Sequence, residues 1–308
     1  MSPGLSRREV AIKAALDAVR ARCDVAKRRA ADPVRFAHRF TAVDDRELVA
    51  LVAACVAFGN VKAIGSKLED LLERLGPHPS RLADDRRAVV QRLRGWKHRV
   101  FRGEDIARLL MGARAVQRAD GSLGARFGRE LARHRLAGKA SAHEAMRLAL
   151  GTWCDAIRVA GGLVSGGPRR GPSHLLPDAR GSSGSKRLLL FLRWMVRPAD
   201  GVDLGLWNLD PAWLLVPVDV HIHKLGRNLG FTSRASLSFR TTTEITEALA
   251  RLDPSDPTGY DFSLCHMGML QRCPSRRDIR RCEGCGVKPV CVHWPGKTAG
   301  PGSTQTSS

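Results

Sequence analysis

Four cysteines near the end of the chain, Cys273, Cys282, Cys285 and Cys291, are spaced C-x8-C-x2-C-x5-C. No other feature limits what this sequence can fold into so sharply. Pro274, Gly284, Gly286 and Pro289 interrupt the stretch, and it holds very few large apolar residues. Such a segment cannot bury a core of its own, so a centre held by thiolates has to organise it. Three readings are open: a [4Fe–4S] cluster, a zinc ion and two disulfides. The spacing favours the cluster, because zinc sites usually come as two C-x-x-C pairs and here only Cys282 and Cys285 form one. The other cysteines stand apart, at positions 23, 55, 154 and 265.

Charge narrows the partners. Lys plus Arg number 51 against 30 Asp plus Glu, a formal balance of +21, which points to a polyanion, most plausibly nucleic acid. The competing explanation is a bias of composition, since the chain is rich in arginine and alanine. No apolar run is long enough to cross a bilayer. Met1-Ser2-Pro3-Gly4 leads directly into charged residues, unlike a secretory leader. A reducing cytoplasm is expected, which suits thiolate ligands and disfavours disulfides.

Along the chain the periodicity predicts helices, with no strand of useful length and no internal repeat. A basic helix is expected over 6–30, ended by Pro33. Asp44 and Asp45 open a helix that is apolar nearly all round, which marks a central buried element; Gly59-Asn60 closes it. Further helices are expected at 62–75, 83–93, 103–117 and 142–160. Between them Lys97, His98, Arg99 and Arg102 alternate with Trp96 and Phe101. That pattern suits a phosphate backbone with stacked bases, although a loop around one buried Trp explains it nearly as well. Residues 161–173 read as a flexible linker, and 295–308 as a disordered tail.

Two stretches carry chemistry. The turn Asp178 to Ser185, with Gly181 and Gly184, feeds the apolar helix that starts at Lys186, so backbone N–H groups would face a phosphate. Lys186 is the only lysine between Lys139 and Lys224. Lysine can lose its proton where arginine cannot, so a lone lysine here suggests a nucleophile; a plain phosphate contact is the alternative. Further on, Pro217 forbids helix before Asp219, while Leu225 and Leu229 carry helix after it, so Asp219 sits at an N-cap. Capping and catalysis are compatible there.

His266-x-Gly268 leading into a loop that ends C-x2-C-x5-C resembles the C-terminus of the endonuclease III branch of the helix–hairpin–helix DNA glycosylases. Val218-Asp219-x-His221-Ile222 resembles the signature around their essential aspartate. The likeness covers about residues 44–292. The hairpin departs from the usual L-P-G-V-G pattern, because Asp178-Ala179-Arg180 intervene. Lys186–Arg197 and Gly201–Trp207 further resemble a bacterial family of unassigned function within that superfamily.

The resemblance implies an all-α, two-lobed fold. Residues 44–210 would form a helical-barrel lobe with the hairpin-like turn, and 1–43 with 211–294 a lobe bearing the cysteine cluster. It implies a [4Fe–4S] cluster (alternatively zinc) on Cys273, Cys282, Cys285 and Cys291, with Lys186 and Asp219 as the catalytic pair. Contacts to double-stranded DNA would come from Asn60, the 97–102 segment, Gly181, Gly184, Ser185, His221 and the loop arginines Arg276, Arg277, Arg280 and Arg281. The implied activity is excision of a damaged base by a cytoplasmic, nucleoid-associated monomer, with or without abasic-site lyase chemistry through Lys186. A non-catalytic nucleic-acid-binding protein, or an RNA-directed relative on the same fold, is the alternative.

Overall fold

A computed structural model describes residues 4–137, 141–163 and 170–294. The chain is predominantly α-helical. The helices are α1 (Arg7–Ala21), α2 (Val25–Ala31), α3 (Val43–Val56), α4 (Val61–Leu75), α5 (Pro79–Asp84) and α6 (Arg86–Arg92). A two-residue hairpin, β1 (Lys97–His98) and β2 (Phe101–Arg102), is antiparallel and is the only sheet among the described residues. Then come α7 (Gly103–Asp120), α8 (Leu123–Leu136), α9 (Ala142–Gly161), α10 (Gly171–Leu175), α11 (Lys186–Val196), α12 (Val220–Leu229), α13 (Phe239–Leu252) and α14 (Asp261–Leu270).

Local capping explains where the elements differ from the periodicity. The helix expected over 6–30 is two helices. Asp24 accepts a hydrogen bond from the Lys27 amide (3.0 Å) and starts α2 afresh. The helix expected over 83–93 is likewise divided, because Asp85 takes the amides of Arg87 and Ala88 to cap α6. Helix α8 was not expected; Ser122 caps it through the Ala125 amide. The linker expected at 161–173 is shorter than it looked, since Gly171 already opens α10; residues 164–169 lie outside the described residues, as does the tail 295–308.

The buried apolar residues fall into two cores. The first gathers residues from Val34 to Leu215, with Phe262, around α3. The second gathers Ile12 and Leu16 of α1 with residues from Val216 to Val290. Both boundaries differ from the expected 43/44 and 210/211. Val34, Phe36 and Ala37 pack into the first core, and the crossover lies between Leu215 and Val216.

Helix α3 is the axis of the first core, and one of its buried residues is a carboxylate. Glu47 accepts from Gln117 Nε2 (2.8 Å), the amides of Leu123 (3.0 Å) and Gly124 (3.1 Å), and Trp207 Nε1 (2.6 Å). Burial raises its pKa against the pull of these donors. Four donors satisfy a group that would otherwise cost several kcal/mol to bury.

Candidate functional site

The turn before α11 is built from the first core and docked on the second. Asp178 holds it at one end, accepting from the Arg180 amide (3.0 Å) and Arg180 Nε (2.8 Å). At the other end Ser183 bridges Ser238, and the Phe239 amide donates to Ser182 O (2.9 Å). Gly184 makes this approach possible: a Cβ there would stand 2.8 Å from Thr242 Oγ1. Ser185 adopts φ +47°, a conformation rare for a non-glycine residue, immediately before the helix. Its Oγ is buried with no partner among the described residues. The amides of Gly181 and Ser185 are already used inside the turn, by Asp178 O (3.4 Å) and Ser183 Oγ (3.3 Å). The turn therefore offers fewer free amides to a phosphate than its glycines suggested.

Lys186 is the first residue of α11, and Asp219 is the N-cap of α12, as expected. One Asp219 oxygen accepts from the amides of His221 (2.8 Å) and Ile222 (2.9 Å). The other faces α14, where Cys265 Sγ donates to it at 3.4 Å. One turn earlier on α14 lies Asp261, whose charge environment includes both Asp219 and Lys186; both also act on Cys265. Asp219 and the helix that starts at Lys186 thus both bear on α14, Asp219 through Cys265 and α11 through an Arg193–Asp261 ion pair.

Asp261 and Cys265 were not picked out from the sequence. Asp261 is 3% exposed, and burial pushes it up to about 6, with the Asp219 charge adding to the rise and Arg193 and Lys186 opposing it. Burial likewise pushes the Cys265 thiol well above its usual range, followed by the charges of Asp219 and Asp261. Cys265 therefore stays a protonated donor and does not act as a thiolate. Arg193, on the same face of α11 as Lys186 two turns on, is 2% exposed and binds Asp203 (3.2 Å) and Asp261. Arg197 binds Asp203, Asp200 (2.8 Å) and Asp256 (2.9 Å). This ion cluster ties α11 to the start of α14.

The His266-x-Gly268 pair has a packing reason. His266 is buried, with Nδ1 2.9 Å from Phe262 O and its ring centroid 4.3 Å from that of Phe262. A Cβ on Gly268 would stand 3.1 Å from Leu225 and 3.2 Å from His221, so glycine lets α12 and α14 come together. His221 itself is half-buried in the first turn of α12.

Cys273, Cys282, Cys285 and Cys291 line one cavity with Asn228, Arg281 and Lys288. All eight cysteines are free thiols, which sets aside the two-disulfide reading. Asn228 Nδ2 donates to Cys273 Sγ at 3.3 Å. Burial raises the pKa of Cys273 and Cys291, and the other thiols of the set raise it further. Among the described residues no three His, Cys, Asp or Glu side chains are drawn together around a single metal ion. The loop is pinned from α1, where Arg8 Nη2 donates to Leu229 O (3.1 Å) and Val290 O (3.4 Å). Arg276, Arg277, Arg280 and Arg281 are exposed, with Arg277 stacked 4.2 Å over Trp294.

The remaining expected contacts lie at a second place. Asn60 is not a C-cap but the N-cap of α4, accepting from the amides of Lys62 (3.0 Å) and Ala63 (3.2 Å). Next to it Phe58 packs edge-on against the rings of His98, Phe101 and His174, with Arg99 and Arg187 over its faces at 4.8 and 5.2 Å. His98 is buried, because its ring fills this aromatic cluster; burial, then Arg99 and Lys67, lower its pKa. It is a core side chain and not an exposed phosphate contact, whereas Lys97, Arg99 and Arg102 are exposed. Trp96 is buried with Nε1 donating to Lys67 O (3.2 Å), so this Trp is structural.

These elements define an all-α protein with two cores, with Lys186 and Asp219 at the starts of two helices that bear on α14, and with a cavity lined by four thiols. Residues 32–270 match the family described as "Protein of unknown function (DUF2400)", and the chain belongs to that family. The match ends three residues before Cys273. No curated protein and no solved structure matches the chain. No helix among the described residues is long and apolar enough to cross a membrane.

Proposed function

We propose that this protein is a DNA glycosylase of the helix–hairpin–helix kind that excises a damaged base from double-stranded DNA. The observation that carries the reading is Asp219 at the start of α12, with its carboxylate turned to Cys265 of α14, one turn from Asp261, which Arg193 ties to the helix that Lys186 begins. The target nucleotide would be turned out of the duplex towards Asp219 and the start of α11. As the glycosidic bond breaks, its electron pair leaves with the base and positive charge grows at C1′; the Asp219 carboxylate stabilises that charge. Cys265 leaves the carboxylate its negative charge while fixing its orientation through the Sγ–Oδ2 contact. In the bifunctional form the neutral Lys186 amine bonds to C1′ as the base departs and the nitrogen loses a proton; its lone pair then opens the C1′–O4′ bond, whose electrons go to O4′ with a proton, giving a Schiff base, and loss of a C2′ proton expels the 3′ phosphate. The +21 balance and the exposed loop arginines supply sequence-independent affinity for phosphates.

The four free thiols around one cavity fit a [4Fe–4S] cluster. Cys273, Cys282, Cys285 and Cys291 would hold it, and it would hold the basic loop in shape. Anaerobically purified protein is expected to be brown, with about four irons per chain, and Cys282→Ser should lose the colour. A colourless protein carrying one zinc per chain would exclude the cluster.

The test of the activity is a panel of duplexes with single lesions, incubated with the pure protein and borohydride. A covalent adduct on a cognate lesion or an abasic site is expected, and Lys186→Gln should abolish the adduct while retaining DNA affinity. Adduct formation that persists in Lys186→Gln would place the amine elsewhere. Binding without excision on every lesion would leave a nucleic-acid-binding protein on this fold.

A further inference from the structure

A large cavity lies away from Lys186 and Asp219, between α6, the β1–β2 hairpin and α7, with a volume of about 970 Å³. That is the size of sites that enclose organic ligands. Its rim carries Arg86, Arg87, Arg94, Lys97 and Arg102, all exposed. Among the described residues none of these five side chains has an ion-pair partner. Arg108, also on the rim, pairs with Glu104 (2.7 Å), the one carboxylate of the lining. Several arginine clusters elsewhere do meet carboxylates: Arg35 and Arg39 share Glu69, Arg114 joins Asp44 and Asp84, and Arg126 and Arg133 share Glu130. Five uncompensated cations around one concavity repel one another unless an anion joins them.

The floor differs from the rim. It is made by Val90, Leu93, Trp96 and Met111. Leu93 and Trp96 are themselves buried, so Val90 and Met111 are its open apolar surface; an inorganic anion would leave these two wet, and an apolar ligand would leave the arginines unpaired. A ligand that satisfies both has several negative charges and a flat ring of low polarity. Arginine forks suit phosphate oxygens in two-point contacts. The hairpin places Lys97 opposite Arg102 across the ladder, and Arg99 at its turn leans on Phe58. Arg187, next to Lys186, covers the same ring. A strand leaving the candidate site therefore has a row of cations leading towards this cavity.

We infer that the cavity between α6, the hairpin and α7 binds an unpaired, phosphorylated nucleotide, with its base on Val90 and Met111 and its phosphates on the arginine rim. The ligand is either a free nucleotide or one unit of a single strand. The inference stands on the cavity and not on the glycosylase reading, since neither Lys186 nor Asp219 lines it.

The experiment measures binding of a short 5′-phosphorylated thymidine oligonucleotide to the full chain by fluorescence anisotropy across a salt series. Thymidine monophosphate, inorganic phosphate and an abasic oligonucleotide of equal phosphate count serve as comparison probes. The paired charge reversal Arg94→Glu/Arg102→Glu is expected to weaken oligonucleotide binding at least about tenfold and to lower the salt slope by roughly 2. Arg7→Glu/Arg22→Glu at the two ends of α1, the same change of charge on exposed residues, should leave it within about twofold. Both altered pairs are surface residues, and circular dichroism checks that each variant is folded. Tighter binding of the oligonucleotide than of the monophosphate would assign the site to a strand, and the reverse to a free nucleotide. Equal losses in the two charge reversals would overturn the inference, because the binding would then be diffuse. Equal affinity for the abasic probe, or for inorganic phosphate, would overturn it as well, because the floor would be unused.

Discussion

Asp219→Asn should reduce base excision by a factor on the order of 10²–10³, the loss usual when one electrostatic stabiliser of a developing charge is removed. The fold should survive. Asparagine caps helices about as well as aspartate, so the hydrogen bonds from the His221 and Ile222 amides have an acceptor in the variant. The pairing of a large kinetic effect with a small shift in melting temperature is the diagnostic. It is measured by single-turnover excision on the cognate duplex alongside thermal unfolding. Full activity in Asp219→Asn would reduce Asp219 to a helix cap and defeat the mechanism. Loss of both activity and folding would mean that the carboxylate's charge is needed by the structure, and Asp219→Ser, which also caps, would then separate the two.

Arg193→Met should cost roughly 3–5 kcal/mol of stability, the range for leaving a buried charge without its partner. That is a large part of the total for an ordinary domain. The variant strands Asp261, 3% exposed, and halves the cation supply of Asp203, 1% exposed. Urea unfolding measures the loss. A second change tells whether the cost is the orphaned carboxylate: Arg193→Met/Asp261→Leu should recover much of it, since replacing a buried pair with apolar groups is often neutral. A loss below about 1 kcal/mol in Arg193→Met would mean that water reaches the pair. Asp261 adds a pH signature. Its pKa is raised from 3.8 to about 6 in the fold, chiefly by burial. Its contribution to stability is therefore complete below about 4 and is lost as the pH rises through about 6.

How much of this was legible beforehand depends on the range of the interaction. Asp219 was legible as a cap because Pro217 and the apolar spacing after it are local signals, and the cap is present. The apolar run of α3 announced a buried helix, and it is buried. Other features were hidden because a distant partner decides them. Glu47 looks like an ordinary charged residue until Gln117 and Trp207 arrive. His98 reads as a basic surface residue until Phe58 and Trp96 close over it. Asp261 and Cys265 are one turn apart on α14, and neither carries a local signal of its role. What makes them part of the site is α11, some 70 residues earlier. Asp24 and Asp85 were visible as residues but not as breaks, because an N-cap inside a helical pattern competes with continuation on small margins.

The Glu47 carboxylate sets an order on the birth of this fold. Its strongest geometric partner, Trp207, lies 160 residues further along the chain. During synthesis α3 leaves the ribosome with an apolar surface and a carboxylate that nothing yet satisfies. Closing so long a loop costs entropy before the contact repays it. Gln117, Leu123 and Gly124 can reach Glu47 earlier, but the first core cannot be finished until α11 and the segment after it have emerged, and until then the face of α3 that α11 covers is open, a stage at which apolar surface invites chaperones or aggregation. Truncation anywhere between α9 and Trp207 should give an insoluble chain, not a smaller folded domain.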